Sequence, residues 1–323
     1  MTEKQQIFAL IKEYDDIIIV RHIRPDGDCM GSTLGLREIL RASFPEKRIY
    51  SVGNDKSAYL NFLDSEDQND LSEIYPKALV IIVDTATKDR IDNDKWFLGK
   101  QTIKIDHHVR VEDYATINYV REDLPATAAI ITDFYMTFKN ELVLTKQAAQ
   151  ALYVGLVTDT GRFKYRGVNA SVFKLAAELV DTGIDIEEIY AYLYIKNKES
   201  YHLQGYILNH YKTTDNGVAY IFITKRLQKK FKVEIEEASA LVNTLDSIHS
   251  HLIWIFFVQG KEKIRVRLRS RFVDINQLAA QYGGGGHRQA SGASLSKRRD
   301  IKKLTNEADL LLKEYKMNHP EVF

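Results

Sequence analysis

Four separate stretches of the chain carry acids and histidines at spacings that could do chemistry. The first is His22-Ile-Arg-Pro-Asp26-Gly-Asp28, followed by Gly31-Ser32-Thr33. The second is Asp84-Thr85, the third Asp106-His107-His108, and the fourth Asp159-Thr160-Gly161. Each taken alone also reads as an ordinary solvated turn or helix cap, although two adjacent histidines after an acid fit a plain surface poorly. Together they offer hard carboxylate oxygens mixed with imidazoles, a donor set suited to Mn²⁺, Mg²⁺ or Co²⁺ and unlike a thiolate-bound structural zinc. Asp26, Asp28, Asp84 and Asp159 bring four negative charges, which two divalent ions would neutralise. Without cations such a cluster would repel itself and take up protons, and a single ion would leave an excess of charge. Cys29 falls inside the first stretch and reads as filler.

The elements that must position these residues alternate. Ile17–Arg21, Leu79–Asp84 and Thr102–Asp106 are short, β-branched and bounded by turns, which predicts buried strands. Helical patterns run over Ser32–Ser43, Thr127–Phe138 and Lys146–Thr158. Strands alternating with helices predict an α/β fold with a parallel sheet and helices on both faces. Sites in such sheets form beyond the carboxyl ends of the strands, where the acids and histidines stand. A polar helical stretch from Ile184 to Tyr211 suits a connecting arm. A second, smaller α/β domain with a mixed or antiparallel sheet then begins at the strand Val218–Thr224. Helices are expected near Val233–Leu245, Val273–Gln281 and Arg298–Tyr315, with a hairpin of His251–Val258 and Lys263–Arg269. The resulting division is residues 1–190, a helical linker over 191–212, and 213–323.

Two features of the second half could hold an anion. From Lys261 to Arg271 every odd position is basic while Ile264, Val266 and Leu268 alternate with them, so a strand would place six cations on one face. Charged strands of this kind also serve simply to protect a sheet edge. Gly283 to Gly286, followed by His287, would form either a loose tether or a nest of backbone N–H donors for phosphate.

His22, Asp26 and Asp28, then Asp84, then Asp106-His107-His108, then Asp159 resemble, in order, the four motifs of the DHH phosphoesterases. Gly283–His287 followed by Ala290-Ser-Gly-Ala293 resembles the phosphate-binding motif of the accessory DHHA1 domain. The resemblance spans nearly the whole chain and is greatest to the bacterial oligoribonuclease (nano-RNase) and pAp phosphatase group. It implies that His22, Asp26 and Asp84 hold one divalent ion, and that Asp28, Asp84, His107 and Asp159 hold the other. His108 would then face the substrate phosphate and Asp106 would orient the histidines. Arg269, Ser270, Gly284, Gly285, Gly286 and His287 would grip the rest of the nucleotide. Manganese is the ion expected. The implied substrates are short RNA and small 3′-phosphorylated nucleotides, the linear dinucleotide pGpG among them.

Whole-chain properties bound these expectations. The 323 residues are 45% hydrophobic and 28% charged with a formal net charge of +1, which suits an ordinary globular protein and a small substrate more than long duplex nucleic acid. One cysteine, no secretory pattern and no long apolar run imply a cytoplasmic protein without a membrane span. An inorganic pyrophosphatase or polyphosphatase would share the first domain, and a non-catalytic RNA-binding or nucleotide-sensing protein would be expected to have lost ligands. The oligomeric state, a homodimer included, is left open.

Overall fold

In the computed structural model, which describes residues 1–165 and 167–320, the chain divides into two units, Met1–Ile195 and Lys196–Phe323. The first is built on β1 (Asp16–Val20), β2 (Arg48–Ser51), β3 (Leu79–Val83), β4 (Gln101–Asp106) and β5 (Ile117–Val120). These strands pair in the order β2-β1-β3-β4-β5, and every pairing is parallel. The runs DIIIV and LVIIV of β1 and β3 are buried along their whole length, as central parallel strands covered on both faces must be. Because β2 and β3 lie on opposite sides of β1, the strand order reverses there and opens a crevice at the carboxyl ends of β1 and β3.

Six helices complete the described part of this unit: α1 (Glu3–Glu13), α2 (Gly27–Ser43), α3 (Thr127–Thr137), α4 (Lys146–Asp159), α5 (Ala170–Val180) and α6 (Ile186–Tyr194). Their buried residues join Ile17, Ile19, Ile81 and Ile103 in one core. The other face, also expected to carry helices, is covered by 3₁₀ helices and loops in place of α-helices. There Ile18, Val20, Val80 and Ile82 pack under Leu71, Tyr75 and Ile91. Helix α2 begins five residues earlier than its apolar pattern, at the cap Asp26, so Asp28 and Cys29 lie in its first turn. Gly27 and Gly31 in that stretch weaken helix propensity and hide the start. They also have a packing purpose. A Cβ at Gly31 would stand 2.4 Å from the Ala151 carbonyl oxygen, so the bare backbone is what lets α2 and α4 approach each other.

The second unit carries α7 (Lys198–His210), α8 (Lys225–Phe231), α9 (Ile235–Ala240), α10 (Asn276–Ala280) and α11 (Arg299–Asn318). The arm expected over 191–212 contains α7, whose Leu203 and Ile207 are fully buried in the second unit's own core. Its six-stranded sheet runs β10 (Gly285–His287), β11 (Ala290–Leu295), β9 (Ile264–Ser270), β8 (Ile253–Gln259), β7 (Ala219–Ile223) and β6 (Lys212–Thr213). Only β7 and β8 pair in parallel, so the sheet is mixed. Strand β8 is buried on both faces: Ile253, Ile255 and Phe257 face α11, while Trp254, Phe256 and Val258 join α7 and α9.

Candidate metal centre

The loops leaving β1, β3 and β4 bring the first three motif stretches into one crevice, and the end of α4 supplies the fourth. His22 is pinned by a bridge to Ile91, and its Nδ1–H donates to the Ile23 carbonyl at 2.7 Å. A carbonyl only accepts, so this bond fixes the proton on Nδ1 and turns Nε2 towards Asp84 Oδ2 at 3.4 Å and Asp26 Oδ1 at 3.9 Å. His107 Nε2 lies 3.2 Å from Asp159 Oδ2, 3.5 Å from Asp84 Oδ1 and 3.8 Å from Asp28 Oδ2. Asp84 therefore presents one carboxylate oxygen to each histidine. It does so from a left-handed backbone, φ 53°, directly after β3, a conformation aspartate tolerates better than most residues.

Asp28 is fully buried and serves twice. Its two oxygens accept the N–H groups of Thr127 at 2.6 Å and Ala128 at 2.8 Å, capping α3, whose own N-cap residue is Ala126 and has no side chain to do so. Each carboxylate oxygen keeps a second lone pair for a cation. Asp26 caps α2 through Cys29 N–H at 3.1 Å and stands half exposed at the mouth.

The charges are mutually unfavourable without cations. Burial, and then the charges of Asp84 and Asp159, push the Asp28 carboxyl well above its ordinary range. Burial acts to lower the His22 pKa, but the hydrogen bond and charge of Asp84 outweigh it and raise the imidazole to about 9. His107 is likewise raised to about 9, with Asp159 overcoming the effect of burial. Asp28, His107 and Asp159 offer donor atoms within 4.8 Å of one another, as do His22, Asp84 and Cys29. Asp84 faces the histidine of each group through a different oxygen. The buried Cys29, which reads as filler from sequence, has its thiol within the second of these groups, beside His22 and Asp84.

His108 adjoins this set, with Nδ1 3.7 Å from Asp84 Oδ1 and 2.8 Å from Asp106 Oδ1, and its backbone N–H is directed at the same Asp106 oxygen. Three contributors escape the sequence reading. Thr127 donates from Oγ1 to Asp84 Oδ1 at 3.0 Å, and buried Lys104 lies 3.3 Å from Asp106 Oδ2. Fully buried Arg21 binds Glu66, Asp92 and the carbonyls of Asp55 and His22, holding the loop on which His22 sits. A charged residue inside an apolar strand was the only available signal for Arg21 and Lys104.

In the second unit the structure narrows the expected anion-binding set. Strand β9 holds only Arg265, Arg267 and Arg269 on its half-buried face, since Lys261, Lys263 and Arg271 fall outside it. Arg269 Nη1 donates to the Leu268 carbonyl at 2.9 Å. Ser270 was expected beside Arg269 as a phosphate contact, but it faces the core, its hydroxyl donating to the Val273 carbonyl at 2.5 Å. Period two sends neighbouring side chains to opposite faces. Nor is the glycine run wholly a nest. The N–H groups of Gly283 and Gly284 donate to the carbonyls of Ala280 and Ala279 and terminate α10. Gly285, Gly286 and His287 form the exposed edge strand β10 opposite Gly292, Ser291 and Ala290.

A parallel-sheet crevice lined by shared carboxylates and imidazoles defines a metal-dependent phosphoesterase, and the chain belongs to the DHH family. The DHH family N-terminal domain matches residues 16–156 and the DHHA1 domain residues 207–314. Over 313 residues the chain is 38% identical to the bifunctional oligoribonuclease and PAP phosphatase NrnA of Bacillus subtilis, covering 97% of this chain and 99% of that protein. It is 34% identical over 303 residues to the enzyme of that name from Mycoplasma genitalium, covering 92% of this chain and 94% of that one. The crystal structure of an exopolyphosphatase-related protein from Bacteroides fragilis superposes with a TM-score of 0.87 at 27% identity, covering 96% of this chain and 97% of that one. Among the described residues no helix is long and apolar enough to cross a membrane.

Proposed function

We propose that this chain hydrolyses two kinds of small substrate: RNA a few nucleotides long, to mononucleotides, and 3′-phosphoadenosine 5′-phosphate, to AMP and phosphate. In both, the phosphorus is attached to a ribose 3′ oxygen, so one centre serves both. The observation that carries the reading is Asp84, whose two oxygens face different histidines as a carboxylate shared by two ions would. Near full-length likeness to proteins named for these two activities supports the substrate choice.

His22, Asp26 and Asp84 would hold one ion, and Asp28, Asp84, His107 and Asp159 the other, with manganese favoured by the oxygen-rich donor set. Two such ions supply Lewis acidity and activate water for in-line displacement at phosphorus. His108, with Nδ1 engaged by Asp106, directs Nε2 at the phosphoryl oxygens and stabilises charge developing there. Arg269, Gly285, Gly286 and His287 would bind the remainder of the nucleotide. The unit bearing them carries 22 Lys and Arg against 13 Asp and Glu, whereas the first carries 23 against 31, so the overall charge of +1 conceals a basic second unit. A single buried thiol fits a reducing cytoplasm.

The test is a parallel kinetic comparison, with Mn²⁺ and with EDTA, of pAp, RNA of a few nucleotides, long RNA and pyrophosphate. Metal-dependent turnover of the first two above the others is expected. Preference for pyrophosphate or processive digestion of long RNA would overturn the assignment.

A further inference from the structure

Lys104 is a buried cation that the proposed chemistry does not use. It sits at the middle of β4 with no exposed surface, on the face packed with Val80, Ile82 and Tyr114. An apolar side chain would fill that place without the desolvation penalty of an ammonium, so the charge calls for partners of comparable value. It has them. Nζ lies 3.3 Å from Asp106 Oδ2, donates to the Ala86 carbonyl at 2.9 Å and to the Glu112 carbonyl at 3.2 Å, and stands 4.9 Å from the centre of the Tyr114 ring. Tyr114 in turn donates its hydroxyl to the Thr85 carbonyl at 2.6 Å. The ammonium thus joins the segment just after Asp84 to the segment just after His108.

Residues 104 and 106 are two apart on one strand, so their side chains share a face. Asp106 then meets Lys104 through Oδ2 and His108 through Oδ1, giving a chain Lys104–Asp106–His108 that ends at the imidazole. We propose that Lys104 is a positioning residue: it anchors the Asp106 carboxylate and the two flanking loops so that His108 is held in one orientation towards the scissile phosphate. The inference rests on the role given to His108 above. Groups that orient a site residue in this way typically cost 10–100-fold in activity or metal affinity when removed.

The experiment is a double-mutant cycle on the full chain with Mn²⁺. Lys104→Met keeps the side-chain volume and removes the charge, and Asp106→Asn removes its partner. Lys104→Met should lower kcat on pAp by about 10–100-fold, with KM for pAp and manganese stoichiometry unchanged. Lys104→Met/Asp106→Asn, which buries no unpaired charge, should be no slower than Asp106→Asn alone. In the protein loaded with diamagnetic Mg²⁺, the downfield ¹H NMR resonance of the His108 Nδ1 proton, assigned with His108→Asn, should weaken or shift in Lys104→Met. Losses that multiply in the double variant, or a wild-type kcat with an unaltered resonance in Lys104→Met, would overturn the proposal. Full activity of His108→Asn would remove the assigned role of His108 instead, and the resonance would still report whether Lys104 holds the ring.

Discussion

At the scale of single residues, Asp84 concentrates the function because its two oxygens address both histidines. Asp84→Ala should lower kcat/KM on pAp and on short RNA together, by about 10³-fold or more if several kcal/mol of Lewis-acid stabilisation is lost. Metal analysis of the purified variant should show reduced occupancy. Retained turnover of either substrate would show that the two activities do not share this carboxylate. A second consequence concerns protons. His22 and His107 are raised to about 9 without cations, so both are charged at neutral pH, whereas a metal-bound imidazole must be neutral at the ligating nitrogen. Loading Mn²⁺ should release protons at pH 7, and release should diminish as pH passes about 9 because the histidines have already lost theirs. Calorimetric titration in two buffers of different ionisation enthalpy measures the number released. Equal release at pH 7 and above pH 9 would contradict the assigned ligands.

At the scale of elements, the site depends on how α2, α3 and α4 meet. Gly31 brings α2 against α4, and Asp28 on α2 caps α3. Asp28 and Asp159 are thus both assigned to metal but differ in structural role. Asp28→Ala leaves two buried N–H groups without their acceptor and should destabilise even the metal-free protein by about 1–3 kcal/mol. Asp159→Ala removes both a charge that opposes Asp28 and the partner of His107 but orphans no backbone N–H, so it should cost the metal-free protein less than Asp28→Ala. Urea unfolding of both variants in EDTA makes the comparison. The glycine run offers a similar contrast. A Cβ at Gly284 would meet the Gly292 carbonyl oxygen at 1.9 Å, whereas Gly285 has nothing within 4 Å. Gly284→Ala should therefore cost roughly 1–3 kcal/mol by overpacking. Gly285→Ala should fold normally, and a raised KM in that variant would mark it as a nucleotide contact.

At the scale of the whole molecule, the proposed ions would link metal and fold in the first unit, since they would bind its folded cluster. Saturation at 100 times Kd stabilises by about 2.7 kcal/mol per site. Stripping metal should accordingly raise hydrogen exchange across residues 1–195 and leave the core of β8, β9 and α11 protected as before. Uniform loosening of both units would argue against a metal centre confined to the first.

The sequence by itself determined the inventory: the ligand types, their order along the chain, and the buried runs of β1 and β3 that place them at strand ends. Strong β-branched patterns and four spaced acid and histidine stretches survive as local signals. It also indicated the basic alternation of β9, though three arginines rather than six cations lie on the strand. Tertiary structure alone decided that Asp84 faces two histidines at once, that Asp28 caps a helix about 100 residues distant, and that Ser270 and the Gly284 N–H are committed within their own unit. It also decided that Lys104 lies buried behind Asp106. Period and propensity act over a few neighbouring residues, whereas a lone pair or an N–H finds its partner only after strands far apart in sequence have been brought side by side.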